Sequence, residues 1–199
     1  ALQIAHYAAN QHPDQGEVVF FSVEMPRKAI VTRLISRLAK IEYHRLRIGK
    51  LKPEEWPAFT STTNELARLS LHLDDTGGLS ILEARARLRL LSRKKKISLV
   101  VVDYLQLMSG KGDNREQEIS SISRGLKAVA KEINAPILAL SQMNRAIEVR
   151  ASKMPQLSDL RDSGSLEQDA DAVMFLNDVL GEGSDQIEIS IAKSRNGPK

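Results

Sequence analysis

The run Leu99-Val100-Val101-Val102-Asp103 constrains this chain more than any other stretch. Four consecutive apolar residues, three of them β-branched, leave no side for water. The segment therefore reads as a strand buried on both faces, the signature of a parallel sheet covered by helices. The run ends in an acid, and ligands of open α/β sheets bind beyond the carboxyl ends of the strands. Asp103 would there present a carboxylate to a metal–nucleotide site. The usual companion of such a strand is a phosphate-binding loop, G-x-x-x-x-G-K-[ST], and the sequence contains none. Its only Gly-Lys pairs, Gly49-Lys50 and Gly110-Lys111, lack both the upstream Gly and the following Ser or Thr. Either the strand is an ordinary core strand, or this is a nucleotide-hydrolysing core seen without one of its parts.

Five apolar runs read as strands: Val18–Val23, Leu71–Leu73, Ile97–Val102, Pro136–Leu140 and Ala172–Leu176. A sixth, Ile187–Ala192, alternates apolar and polar residues as a more exposed strand does. Helical periodicity fills most of the intervals. It places Ile30, Leu34, Ile35 and Leu38 on one face of residues 26–39, and Ile119, Ile122, Leu126, Val129 and Ile133 on one stripe of 116–134. Ser80 with Glu83 three residues later is a capping-box start for a helix over 81–95. A short helix is expected around Trp56, a packing residue on this reading. Alternating strands and helices predict an α/β fold with a central, mainly parallel sheet and right-handed crossovers. The segments Ser109–Arg115, Arg145–Leu157 and Val179–Asp185 are expected to be the flexible connections.

With 199 residues, 42% hydrophobic and 27% charged, the chain is long enough for one substantial globular domain. No apolar run approaches the roughly 20 residues of a membrane span. There are no cysteines, which removes disulfides and thiolate metal sites, and the four histidines lack metal-ligand spacing. A net charge of +4 permits a polyanionic partner without requiring one. Much of the basic charge sits on Arg85, Arg87, Arg89 and Arg93–Lys96, a segment without the interleaved aromatics that stack bases. It reads as a solvated outer helix face.

Three strand ends carry groups suited to phosphate chemistry. Glu24 follows the first strand and could orient and deprotonate a water. Asp103 could hold Mg²⁺, which prefers oxygen ligands and keeps several waters. Gln142, after the fourth strand, could sense a terminal phosphate. Each has an ordinary rival as a helix cap or strand terminator, and their joint occurrence on successive strands weighs more than any member. At the last strand, Lys193 and Arg195 lie one residue apart before Asn196-Gly197-Pro198. They read either as a basic edge that blunts aggregation or as an arginine finger reaching a neighbour's phosphate, worth on the order of 10³–10⁵ in rate. In the polar run Ser158–Asp171, the turn Ser163-Gly164-Ser165 and Arg161 could clasp a nucleic-acid phosphate. The rival there is a capped helix start with solvated acids.

Five segments, taken together, carry a resemblance. Ser22-Val23-Glu24-Met25, Val102-Asp103-Tyr104-Leu105-Gln106-Leu107-Met108, Leu140-Ser141-Gln142-Met143-Asn144-Arg145, the Ser158–Asp171 run and Lys193-Ser194-Arg195-Asn196-Gly197-Pro198 resemble, in order and nearly end to end, the motifs of the RecA-like motor domain of bacterial replicative DNA helicases, the DnaB family. The Ser158–Asp171 run distinguishes this from a RecA-type recombination ATPase.

The resemblance implies a three-layer RecA-like fold and one motor domain over residues 1–199. It implies a homohexamer that moves along single-stranded DNA by hydrolysing ATP with Mg²⁺, in the cytoplasm and at the nucleoid, with primase and a helicase loader as partners of the full-length protein. By motif, Glu24 resembles the catalytic glutamate, Asp103 the metal-binding aspartate and Gln142 the phosphate sensor. Lys193 and Arg195 resemble the pair that reaches a neighbour's ATP, with Arg195 as the finger. Arg161, Asp162 and Gly164 match positions that hold the DNA backbone. In this family the phosphate-binding loop opens the helix that resembles Ala1–Asn10, so the loop is expected just upstream. A closing strand is expected downstream, and a primase-contacting domain with its linker helix upstream of the motor. By itself the 199-residue chain is expected to be inactive in ATP hydrolysis. The alternative is a non-catalytic DNA- or partner-binding module with a degenerate nucleotide site.

Overall fold

The computed structural model describes residues 1–11, 15–144, 154–177 and 187–197, with the side chains of 161–163 outside that description. Four strands, β1 (Glu17–Ser22), β2 (Leu71–Asp74), β3 (Ile97–Asp103) and β4 (Ile137–Ala139), form one parallel sheet in the order β2-β1-β3-β4. The central pair is β1 and β3, the two most continuously apolar runs. Their side chains alternate between two cores. Val19, Phe21, Val100 and Val102 face one layer. Val18, Phe20 and Val101 face the other. The first layer is covered by α5 (Ile81–Ser92) and α6 (Arg115–Ile133), the second by α1 (Leu2–Gln11) and α2 (Arg27–Ala39). This is the expected three-layer arrangement.

Local chemistry sets the helix boundaries. The Ser80 hydroxyl accepts from the Glu83 N–H at 3.2 Å, and the Glu83 carboxylate accepts from the Ser80 N–H at 2.9 Å, so the capping box forms. Asn114 caps α6 through the Gln117 N–H at 2.9 Å. Asp75, just after β2, accepts from the first N–H of α2 at 2.8 Å, placing a carboxylate at that helix's positive end. Gly16 leads into β1 with φ +129°, and a Cβ there would stand 2.4 Å from the Lys96 carbonyl oxygen. Only glycine lets the chain enter β1 this close to the start of β3.

Four features refine or depart from the sequence reading. The last two strands, β5 (Ala172–Asn177) and β6 (Glu188–Ser194), pair antiparallel as a separate two-stranded ribbon. The parallel pattern is therefore confined to the four-stranded sheet. Residues 43–68 hold two helices, α3 (Tyr43–Ile48) and α4 (Trp56–Arg68), where only a short one was expected. Trp56 is half exposed and packs edge-on against Phe59. The connection Ser109–Arg115 is pinned: Ser109 bonds Leu79 and Ile81, and the Gly110 N–H donates to Glu118 at 3.1 Å. Of the other two connections expected to be flexible, residues 145–153 and 179–185 lie outside the described residues. The basic face of α5 is also more than solvated charge. Arg85 and Arg89 share Glu132 of α6, and Arg87 holds Asp74 of β2 at 2.5 Å. Burial works to raise the Asp74 pKa, but the hydrogen bonds from Arg87 and Thr76 outweigh it and hold the carboxyl below its usual range. A short helix, α7 (Gly164–Asp169), follows a 3-10 turn over Leu157–Ser163 and packs near α6.

Candidate functional site

Because β1, β3 and β4 are adjacent and parallel, their carboxyl ends share one edge of the sheet. That brings Glu24, Asp103 and Gln142 to the same region. Ser22, the register partner of Asp103, builds the turn that presents Glu24. Its hydroxyl donates to the Met25 carbonyl at 2.7 Å and accepts from the Met25 N–H at 3.2 Å. The Val23 N–H donates to the Asp103 carbonyl at 2.9 Å, tying the turn to β3. Glu24 is left exposed beside the half-buried Asp103.

Burial raises the Asp103 pKa. The neighbouring Glu24 carboxylate pushes it up further, and Arg33 draws it down. A half-buried carboxyl with an acid for a neighbour is stabilised by a cation placed between them. Among the described residues no ion pair forms to Asp103 or Glu24. No cluster of three or more metal-ligating side chains forms among them either. Asp103 and Glu24 offer two carboxylates at this edge, which suits a hard cation that retains water and takes its remaining ligands from a substrate.

Gln142 is reached through β4. The Leu140 N–H donates to the Val102 carbonyl and the Leu105 N–H to the Leu140 carbonyl, both at 2.9 Å. The polypeptide after β4 thus runs beside the turn after β3. There the Gln106 side chain holds the Gln142 main chain from both sides. Its Oε1 accepts from the Gln142 N–H at 3.2 Å, and its Nε2 donates to the Gln142 carbonyl at 3.1 Å and to Ser141 Oγ at 2.9 Å. Two residues on, the Asn144 N–H donates to the Asp159 carbonyl at 3.2 Å.

Lys193 and Arg195 are not brought to this edge within the chain. From β6 and the residue just after it, both reach the C-terminal end of α7. Lys193 Nζ donates to the Glu167 carbonyl at 2.5 Å, and Arg195 donates to the Gln168 carbonyl at 3.0 Å and to Asp171 at 3.1 Å. Cations at helix C-terminal carbonyls are favourably placed. The hydrogen bond from Lys127 lowers the Asp171 pKa against the opposing effect of burial, helped by the charges of Lys127, Arg195 and Lys193. Arg161 and Asp162 fall on the 3-10 turn, with side chains outside the described residues, and Gly164 opens α7. A cleft of about 450 Å³ between α1 and α4, lined by Asn10, Asn64, Glu65 and Arg68, lies at the far end of α1 from Ala1 and takes no part in this edge.

Two residues at the edge escaped the sequence reading. Arg33 is one of several cations on α2, and nothing in its spacing sets it apart. Gln106 stands in the Asp103–Met108 motif but carries no charge and no periodic signal.

Comparison with known proteins agrees with the resemblance. The profile of the DnaB-like helicase C terminal domain matches residues 1–199. The chain is 42% identical to the replicative DNA helicase DnaB of Geobacillus stearothermophilus, over all of this chain and 45% of that protein. It is 45% identical to the DnaB of Buchnera aphidicola subsp. Schizaphis graminum, over 91% of this chain and 41% of the relative. The chain thus spans less than half the length of these curated relatives. Among solved structures, one described as an ATPase domain superposes with a TM-score of 0.90 at 34% identity, covering 99% of this chain and 72% of that one. A DnaB-like replicative helicase, described with its interactions with primase, gives 0.87 at 34% identity, covering 96% and 48%.

Proposed function

Because the chain belongs to the DnaB-like helicase C-terminal domain family, we propose that it is the RecA-like motor of a replicative helicase, which hydrolyses ATP to move along single-stranded DNA. The observation that carries the reading is the convergence of Glu24, Asp103 and Gln142 on adjacent parallel strand ends. Glu24, exposed and fixed by the Ser22 turn, is the base that orients a water and takes its proton. Asp103 is the residue to hold Mg²⁺, which when bound neutralises charge on the phosphates of ATP. Gln142, following β4 at the same edge, is the amide that reads the terminal phosphate.

Lys193 and Arg195 serve a neighbouring copy of the chain in a homohexamer, with Arg195 as the finger on that copy's ATP. In their own copy they rest on α7. Arg161, Asp162 and Gly164 contact the DNA backbone. Primase and a helicase loader are partners of the longer protein, which works in the cytoplasm at the nucleoid. No helix among the described residues is long and apolar enough to cross a membrane. The test is Glu24→Gln in a chain extended to the length of its relatives. ATP hydrolysis should fall on the order of 10²–10⁴-fold, with nucleotide affinity unchanged. Loss of nucleotide binding in parallel with hydrolysis would make Glu24 a structural residue instead.

A further inference from the structure

Gln106 bonds both the main-chain N–H and the main-chain carbonyl of a candidate catalytic residue, and nothing in the motif's assigned roles accounts for it. Its amide orientation is fixed by the hydrogen bonds themselves. Oε1 meets an N–H, and Nε2 meets a carbonyl and a hydroxyl, so a flipped amide would set donor against donor. The residue is also held from behind. Its own carbonyl accepts from the Arg115 guanidinium, Arg115 pairs with Glu118, and Glu118 accepts from the Gly110 N–H at 3.1 Å. Leu105 and Met108, on either side, are buried in the core beneath. Gln106 therefore projects from a braced turn directly after Asp103. The segment it grips is held two residues further on as well, where the Asn144 N–H donates to the Asp159 carbonyl. Asp159 lies in the same 3-10 turn as Arg161 and Asp162.

We propose that Gln106 is a positioning residue that fixes the Gln142 main chain relative to Asp103 at the phosphate site. The inference rests on the reading of the chain as a DNA-stimulated ATPase. The physical basis is simple. β4 ends at Ala139, so Gln142 has no sheet hydrogen bonds to hold it. Gln106 substitutes for the missing ladder with one donor and one acceptor. A displacement of about 1 Å at a reacting group costs on the order of 10²-fold in rate, and the two bonds of Gln106 resist it.

The experiment uses a chain extended to the length of the relatives and measures ATP hydrolysis with and without single-stranded DNA. Gln106→Met keeps length and volume but removes both bonds. Gln106→Glu keeps the acceptor and replaces the donor with a carboxylate oxygen facing the Gln142 carbonyl. Both are expected to lower DNA-stimulated kcat by about tenfold or more, while the KM for ATP stays within about twofold of the parent chain. In a Gln142→Ala background Gln106→Met should cause no further loss, because the group it positions has gone. A kcat that survives both substitutions, a loss carried by KM instead, or an equal further loss in the Gln142→Ala background would each overturn the proposal. An extended parent chain with no DNA-stimulated hydrolysis would instead sink the ATPase reading, and this inference with it. Should Gln106→Met fail to fold, as judged by its thermal melt, Gln106→Glu supplies the same comparison.

Discussion

The four-stranded sheet and the β5–β6 ribbon are built from similarly apolar sequence but reach different states. In β1 and β3 every side chain from Val18 to Phe21 and from Val100 to Val102 is buried, half in each core. In the ribbon only Phe175 is buried, while Met174, Leu176, Ile189 and Ile191 on the opposite face are half or more exposed. A strand with helices on both faces fixes the position of whatever stands at its end, and the candidate acids stand at the ends of such strands. The ribbon carries the candidate cations, and these take helix carbonyls and Asp171 of their own chain as partners. The acids belong to the rigid part of the molecule and the cations to the part with less support. On the proposed reading the two meet only between copies.

Packing offers the strongest challenge to this contrast. Phe21→Ala should cost about 3–5 kcal/mol in chemical denaturation, as expected when a large fully buried side chain is removed. Leu176→Ala, on the exposed face of the ribbon, should stay within about 0.5 kcal/mol. Comparable costs at the two sites would mean that the ribbon face is covered in solution. A smaller effect is expected where β1 and β3 begin. Gly16→Ala forces a side chain into positive φ against the Lys96 carbonyl and should destabilise by about 1–3 kcal/mol in the same assay; an unchanged midpoint would show that the entry to β1 can relax.

The weakest effect belongs to Asp74, at the sheet's outer strand. Its pKa is lower in the folded chain than its ordinary 3.8. Its contribution is therefore present above that value and is lost as the pH falls through the folded pKa. Because the pair is partly exposed and screened by solvent, the contribution is about 1 kcal/mol or less. Asp74→Asn should be less stable than the parent chain at pH 7, and the gap should close as the pH falls through the lowered pKa of Asp74. A gap that persists in acid would assign the loss to shape rather than charge.

How much was legible in the sequence follows the same division. The runs around Val18–Val23 and Ile97–Val102 announced central strands because burial on both faces demands apolar residues at every position. The capping box at Ser80 was legible because it is local. The pairing of β5 with β6 was not, since a strand's apolar pattern records its burial and not its partner. Residues 43–68 were hardest to read: α3 buries none of its residues and α4 only Thr62, so no apolar stripe marks them. In the site, Glu24, Asp103 and Gln142 were found because strand-end acids and amides suggest chemistry. Gln106 was missed because its importance lies in a contact with the main chain of a residue 36 positions away.

A site divided between two regions of the chain, and so between copies, can be rebuilt from two broken halves. Glu24→Gln and Arg195→Ala, each inactive in the extended chain, are mixed at a series of ratios, and DNA-stimulated ATP hydrolysis is measured. Random assembly pairs an intact Glu24 with a neighbour's intact Arg195 at roughly a quarter of the interfaces in an equal mixture. Activity in the mixture should rise above that of either variant alone. Mixtures that never exceed the separate variants at any ratio would contradict a site shared between copies.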